Sequence, residues 1–213
     1  MRLELVLGSR VSAWQYACCK AAIRKHFLRE KITMRNVIIS CITLLVSLAL
    51  CAASIVAQQD KSKRPSPPAK AECKLPGGKT LTIDYSSPRA NGRKIYGGLV
   101  PYGEVWRAGA NEATTFVTDT NLNVGGTAVP AGSYTIFTLP SANQWKLIIS
   151  KKTGEWGVPY PGQSSDFARI DMKVSQRSVS LANFTISFDQ SGSGCTLHMD
   201  WETTQASVDI AAK

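Results

Sequence analysis

Glu104, Glu112 and Asp171 are the carboxylates that could carry catalytic chemistry in this sequence, since each lies within a few residues of a Trp or an Arg. Two carboxyl groups about 5 to 10 Å apart can cleave a glycosidic bond, one acting as the acid and the other as the nucleophile or base. Nothing in the spacing selects a pair. A carboxylate-dependent hydrolase of the glycosidase type is therefore one hypothesis for this chain.

The Gly-rich segment, residues 91–116, reads NGRKIYGGLVPYGEVWRAGANEATTF and holds five of the sixteen glycines. Gly and Pro at this density interrupt regular structure, so we expect the aromatic and charged side chains between them to lie on shaped loops, where binding residues are often carried. With one later Trp, the segment supplies the candidate binding residues Arg93, Tyr102, Trp106, Arg107, Asn111, Glu112 and Trp156.

Structural roles for the same residues are the competing interpretation. Arg107 and Glu112 could form an ion pair that braces the loop at Gly109. Trp106 and Trp156 could stack on sugars, yet tryptophans in β-proteins more often pack in or around the core. A purely structural protein, in which these residues only hold loops, is thus a third hypothesis beside a binding module and a hydrolase.

Other catalytic and cofactor signatures are missing from the sequence. His198 is the one histidine after residue 57, which excludes a multi-histidine metal site there. The alternation in CTLHMDWE places His198 with Asp200 on the solvent side of a strand. The sequence has no G-x-S-x-G, P-loop or G-x-G-x-x-G motif. We expect no metal and no cofactor, and we favour a protein without enzymatic activity.

Alternating apolar residues predict strands after residue 71, and no segment there shows a helical period. Gly125-Gly126 marks a two-residue hairpin. Such a series of short strands favours an all-β fold, an antiparallel β-sandwich of the jelly-roll or Ig-like kind with about 8 to 10 strands. After a first strand opened by Cys73, the predicted strands are 79–85, 114–120, 122–124, 127–129, 133–139, 145–150, 169–175, 184–189, 195–202 and 207–211.

Residues 37–57 carry no charge and follow a short basic start, which is typical of a secretory signal peptide cleaved after Ala57. The run is also long enough to span a bilayer as an uncleaved anchor. We expect an exported protein, periplasmic or secreted, attached to a membrane only through this run if it is retained. The predicted organisation is a basic extension or misassigned start at 1–33, a signal peptide or anchor at 34–57, a disordered linker at 58–71 and a β-sandwich at 72–213.

The net charge of +10 is concentrated at the N-terminal end of the chain. Residues 72–213 hold 13 Lys and Arg against 12 Asp and Glu, so the predicted domain is nearly neutral. A nucleic-acid-binding domain would need a basic face. We therefore exclude nucleic acid as a partner.

Cys73 and Cys195 are the two cysteines after residue 57. In an exported chain two cysteines favour one disulfide, here between the first strand and a late one. In the chain-entropy model, closing a loop of this length contributes at most roughly 4 to 5 kcal/mol. The alternative is a pair of buried free thiols.

Several blocks of the sequence match a known family in order and spacing: SSPRANGRKIYGGLVPYGEVWRAGANEATTF, VPAGSYTIFTLP, WKLIISKKTGEWG, ARIDMKV and FTISF. They resemble the bacterial family called domain of unknown function 2911, from about residue 73 to residue 201. The resemblance implies an exported protein but no established activity, cofactor or catalytic residue. It places motif positions at Arg93, Trp106, Arg107, Asn111, Glu112, Trp156 and Gly157.

Our leading hypothesis is a β-sandwich module of the cell envelope that binds a glycan, a peptide or a partner protein through the Gly-rich segment. It rests on a cluster of aromatic and polar residues in a domain without catalytic signatures. The hydrolase and the purely structural protein remain the alternatives.

Overall fold

The computed structural model describes residues 60–213 and, ahead of them, Ile39, Ser40, Ile42 and Thr43, which are helical. The predicted extension at 1–33 lies outside the described residues, as does the predicted signal peptide at 34–57 apart from those four. None of the helices among the described residues has the length and apolar character needed to cross a bilayer.

Nine strands make up the body of the protein, and no α-helix occurs between residues 60 and 213. Short 3-10 turns lie at Lys61–Lys63, Pro76–Gly78 and Gln163–Ser165. The strands are β1 (Pro68–Leu75), β2 (Lys79–Ser86), β3 (Thr115–Thr118), β4 (Leu122–Val124), β5 (Thr127–Val129), β6 (Gly132–Leu139), β7 (Trp145–Ser150), β8 (Asp166–Ser191) and β9 (Gly194–Ala212).

All nine strands are hydrogen-bonded in one sheet, in the order β1-β2-β3-β6-β7-β8-β9-β4-β5, and every neighbouring pair is antiparallel. This confirms the all-β, antiparallel class. β8 links the two parts of the sheet, because its first residues pair with β7 and the rest pair with β9. β4 pairs with β5 and with β9, so this hairpin joins the sheet beside β9 and not beside β6, the strand that follows it in the chain.

Two strands are much longer than the sequence predicted. The segments 169–175 and 184–189 belong to one strand of 26 residues, and 195–202 and 207–211 to one of 19 residues. No Gly or Pro interrupts the chain between these segments, so the hydrogen bonding continues through irregular stretches instead of ending. The pairing of β8 with β9 shifts register between Gln176 and Thr185, a stretch that we call the β8 bulge. β9 bends at Glu202, whose φ is 51°.

The bends bring the two ends of β9 together. Thr196 Oγ1 donates to Asp209 Oδ1 at 2.8 Å, although the residues are 13 positions apart. Gly194 lies directly against the backbone of Ile210 and Ala211. β9 therefore curls back on itself.

The core is filled from the inward positions of both parts of the sheet. Trp145, Trp201, Phe116 and Phe184 are among its largest fully buried side chains. A disulfide joins Cys73 in β1 to Cys195 in β9, as predicted, with a Cα separation of 6.3 Å. Both cysteines are buried, so the bridge fixes the first strand to the last one from inside the domain.

The predicted linker at 58–71 needs correction where it is described. β1 starts at Pro68 and pairs with β2 over its whole length. The composition misled us because Pro and Lys are tolerated on an edge strand, where β1 lies. Asp60–Lys213 form one compact unit, so the folded body begins ahead of residue 72.

Candidate functional site

The turn WRAGANEAT in the Gly-rich segment is crowded against β2. Ala108 and Asn111 have φ angles of 52° and 55°, which non-glycine residues adopt only in special turns. A Cβ at Gly109 would lie 2.9 Å from Thr114 Oγ1 and 3.1 Å from the Ser86 carbonyl oxygen, so this approach requires glycine. Thr114 Oγ1 also donates to the Ala108 carbonyl at 2.9 Å. The turn is fixed in place, which gives its outer side chains defined directions.

Arg107 and Glu112 do not pair with each other, so the predicted ion pair between them is wrong. Arg107 Nη1 donates instead to the carbonyl oxygens of Asn111, at 3.0 Å, and Trp156, at 3.4 Å. Ala108 and Asn111, both in the left-handed conformation, lie between Arg107 and Glu112 in the chain. The side chains of Arg107 and Glu112 consequently contact different neighbours. Arg107 still braces a loop, but through backbone carbonyls, and burial lowers its pKa.

Glu112 is bound by the arm, which we define as residues 60–67. Arg64 Nη1 donates to the two carboxylate oxygens at 2.9 and 2.8 Å, and Lys61 Nζ lies 3.1 Å from Oε1. Hydrogen bonding from Arg64 is the main reason that the pKa of Glu112 falls to about 2. Because the folded-state pKa is lowered, this stabilisation is complete above the ordinary pKa of 4.5 and is lost as the pH falls through about 2.

A cleft of about 170 Å³ opens beside Glu112, between the arm and the body. Its lining includes Lys61 and Arg64 of the arm, Pro68 of β1, Asp84 of β2, and Glu112. Asp84 is a residue of this site that our sequence analysis missed. A signal for it existed, because the alternation in LTIDYS places Asp84 on the exposed face of β2.

The Trp156 loop, residues 151–162, projects two apolar side chains into solvent. Trp156 is 54% exposed and Val158 is 61% exposed. Gly157 between them is buried. The loop thus presents an apolar tip while its centre is held against the domain.

Contacts with the WRAGANEAT turn fix the Trp156 loop. A Cβ built at Gly157 would lie 3.0 Å from Ala113 Cβ and 3.1 Å from Arg107 Cβ, and the φ of Gly157 is 82°. The Ala113 amide donates to the Glu155 carbonyl at 3.1 Å. Together with the bond from Arg107 to the Trp156 carbonyl, these contacts make the loop and the turn one unit. The structure therefore brings together four of the predicted binding residues: Arg107, Asn111, Glu112 and Trp156.

The other predicted binding residues lie apart from this unit. Trp106 turns into the core, where its ring packs edge-on to Phe184 at 4.9 Å and stacks on Trp201 at 5.9 Å. Arg93 donates to two carbonyl groups of its own loop at 3.1 and 2.7 Å. Tyr102 is exposed. Within the described structure, none of the three makes a hydrogen bond to the arm or to the Trp156 loop.

The carboxylates proposed for catalysis are not assembled in one place. Asp171 on β8 lies 2.5 Å from Lys146 Nζ and lines a different cleft, of about 570 Å³. Glu104 is exposed and lines neither cleft. Hydrogen bonding from Arg64 keeps the pKa of Glu112 low, whereas the proton donor of a glycosidase needs a raised pKa. Within the part of the chain that the structure describes, no three His, Cys, Asp or Glu side chains are placed to hold a metal ion.

His198 and Asp200 are not on a solvated face, so that prediction was wrong. Asp200 is 3% exposed and accepts a hydrogen bond from Arg177 Nη1 at 2.7 Å. His198 is mostly buried, with Nε2 3.1 Å from the Asp189 carboxylate. Burial raises the pKa of Asp200. Alternation showed which residues share a face of β9 but could not show that Arg177, from the β8 bulge, reaches over that face.

Replacing Arg107 with alanine should lower the free energy of unfolding by about 1 to 2 kcal/mol, because two carbonyl groups lose a charged donor. Hydrogen exchange in the Trp156 loop should rise, since one of those carbonyls belongs to it. Urea denaturation and hydrogen-exchange mass spectrometry measure the two effects.

Arg93→Ala is the matched control for this experiment. Arg93 also donates to two carbonyls, but both lie three or four residues away in the same turn, so we expect a loss below about 0.5 kcal/mol. Equal losses in the two variants would contradict a bracing role for Arg107.

Comparison with known proteins gives one match, to a family model. No curated protein and no solved structure matches the chain. A family model described as "Protein of unknown function (DUF2911)" matches residues 66–210, from the arm to near the end of β9. The match covers more than half of the chain and agrees with the resemblance seen in the sequence blocks. The chain belongs to the DUF2911 family.

Proposed function

We propose that this chain is an exported binding module of the cell envelope, with a β-sandwich-like fold and no enzymatic activity, and that it contacts a partner protein through Trp156 and Val158. The observation that carries the proposal is the exposure of both side chains, 54% and 61%, on a loop whose backbone is fixed. Exposed apolar side chains grouped at one place mark interaction surfaces more often than isolated ones do.

The fixed backbone of the Trp156 loop favours binding energetically. A flexible loop would lose conformational entropy on association, at roughly 0.5 to 1.5 kcal/mol per immobilised side chain. Here Gly157 is already packed against Ala113 and Arg107 in the free protein. The tip therefore meets its partner in a conformation that needs little further ordering.

The surroundings of the tip resemble the edge of a protein interface. Lys152 and Glu155 lie 3.6 Å apart on the same loop, and Arg107 lies beneath it. An apolar centre with Trp as an anchor and a charged rim is the usual arrangement in protein interfaces. Two apolar side chains form a small centre, so we expect a transient rather than an obligate complex.

Export is part of the proposal for two reasons. The sequence ahead of the domain has the pattern of a secretory signal, and the Cys73–Cys195 bridge is of a kind that persists in oxidising compartments. Both features suit a protein of the periplasm or the cell exterior.

Site-specific photo-crosslinking in the native cell tests the proposed surface. A photoreactive phenylalanine analogue replaces Trp156 in one variant and Val179 in another. Val179 is the matched control, because it is 65% exposed but lies in the β8 bulge. We expect one discrete protein adduct from position 156, lost when Val158→Asp is added, and none from position 179.

Binding of the purified partner should then weaken at least tenfold in Trp156→Ala without a change in melting temperature, since interface tryptophans commonly contribute about 2 kcal/mol or more. Adducts at both positions, or at neither, would overturn the proposal. Binding to an oligosaccharide array that Trp156→Ala abolishes would replace the partner protein with a glycan.

A further inference from the structure

We propose that the cleft beside Glu112 is a binding site for an extended, arginine-containing peptide segment, and that the arm of the chain itself occupies this site as a tethered, displaceable ligand. The site is distinct from the tip formed by Trp156 and Val158. The argument starts from the way the arm is held.

Side-chain recognition of the arm is charge-specific. Arg64 places one guanidinium nitrogen 2.9 and 2.8 Å from the two oxygens of Glu112, and Lys61 adds a second cation at 3.1 Å. Asp84 lines the same cleft and adds a second negative charge. A cleft with two carboxylates and a position for one guanidinium selects a basic segment over a neutral or acidic one.

The body binds the backbone of the arm as it would bind the backbone of an extended peptide. Asn111 Nδ2 donates to the Ser66 carbonyl at 2.9 Å, and the Ser87 amide donates to the Pro67 carbonyl at 2.9 Å. These two donors lie on the body and would bind any extended chain that offers carbonyls at this spacing. Prolines at 65 and 67 suit the site, because they hold a segment extended before it binds.

The arm is held weakly enough to be displaced. None of residues 60–67 is buried, so no apolar side chain anchors the arm in the core. Its ion pairs are partly solvated, the Glu112 side chain being 40% exposed, and such pairs contribute little individually. The arm can therefore leave the cleft without unfolding of the sheet, as weakly held segments of a fold open locally.

Tethering explains why the arm lies against Glu112 in the chain alone. A segment joined directly to β1 has an effective concentration in the millimolar range, so an identical free peptide competes poorly with it. Weakening the contacts of the arm while leaving the body unchanged should expose the site to a free peptide.

The test uses the full chain and a fluorescent peptide with the sequence of residues 60–67, DKSKRPSP, followed by anisotropy. We expect the variant Lys61→Ala/Arg64→Ala to bind the peptide at least tenfold more tightly than the unmodified protein does. A peptide with alanine in place of arginine should bind that variant at least tenfold more weakly. Added Glu112→Gln should abolish binding, and added Trp156→Ala should leave it unchanged, which separates this site from the proposed partner surface.

A charge exchange provides a second, independent variant if the first does not fold. In Glu112→Arg the arm is repelled, and a peptide with glutamate in place of arginine should bind in preference to the original peptide. Equal binding of the original peptide by the unmodified protein and the double variant, or no binding by the double variant, would overturn the proposal, as would failure of the charge exchange to reverse the preference.

Discussion

Substituting alanine for Gly194 should lower the free energy of unfolding by about 3 kcal/mol or more, and the melting temperature by about 6 to 12 °C. A Cβ at this position would lie 2.0 Å from the Ile210 carbonyl oxygen and 2.8 Å from the Ala211 Cα. Both atoms belong to the backbone at the other end of β9 and cannot swing away as a flexible side chain could. The two ends of the strand would have to separate, which would also strain the bond from Thr196 to Asp209.

Gly192→Ala is the control for this substitution. Gly192 has a φ of 54° and no atom within 4 Å of its ideal Cβ, so alanine there meets a conformational cost of about 1 to 2 kcal/mol but no clash. Urea denaturation followed by tryptophan fluorescence measures both variants. A loss for Gly194→Ala no larger than that for Gly192→Ala would show that the ends of β9 do not approach as closely as described.

Removing the disulfide should cost a comparable amount of stability. We expect the variant Cys73→Ala/Cys195→Ala to unfold with a free energy about 3 to 5 kcal/mol below that of the oxidised protein. The bond closes a separation of 122 residues, so its loss greatly enlarges the conformational freedom of the unfolded chain. Denaturation of the variant and of the unmodified protein, each with and without dithiothreitol, gives the comparison.

Two controls are built into the disulfide experiment. Reductant should leave the stability of the double variant unchanged, and it should reach the bond of the unmodified protein only after unfolding, because both cysteines are buried. A difference below about 1 kcal/mol between the oxidised protein and the variant would contradict the expected stabilisation.

Local signals predicted the short strands well. The bounds of β4, β5 and β7 agree with the sequence prediction, because Gly125-Gly126 and the flanking polar residues end these strands locally. The lengths of β8 and β9 could not be predicted in the same way. Their continuation depends on hydrogen bonds between strands and on a bulge at residues that carry no turn signal.

The candidate site was predictable only in its composition. The Gly-rich segment does carry a fixed turn, but the partner of Glu112 is Arg64, 48 residues away in a segment that composition marked as a linker. Proximity in sequence favoured Arg107 instead. That expectation was wrong because residues between Arg107 and Glu112 are in the left-handed conformation. A single sequence does not predict this conformation for Ala108, since alanine rarely adopts it.

The order of strands in the sheet differs from their order in the chain, so some strands cannot pair as soon as they are synthesised. β4 and β5 precede β6 in the chain, yet the strand they join is β9, the last to be made. A partly made chain therefore holds a hairpin without its neighbour and a Cys73 thiol without its mate in β9. Pairings between such distant segments form only after a large loss of chain entropy. Completion of the sheet and of the disulfide therefore has to wait until β9 has been synthesised.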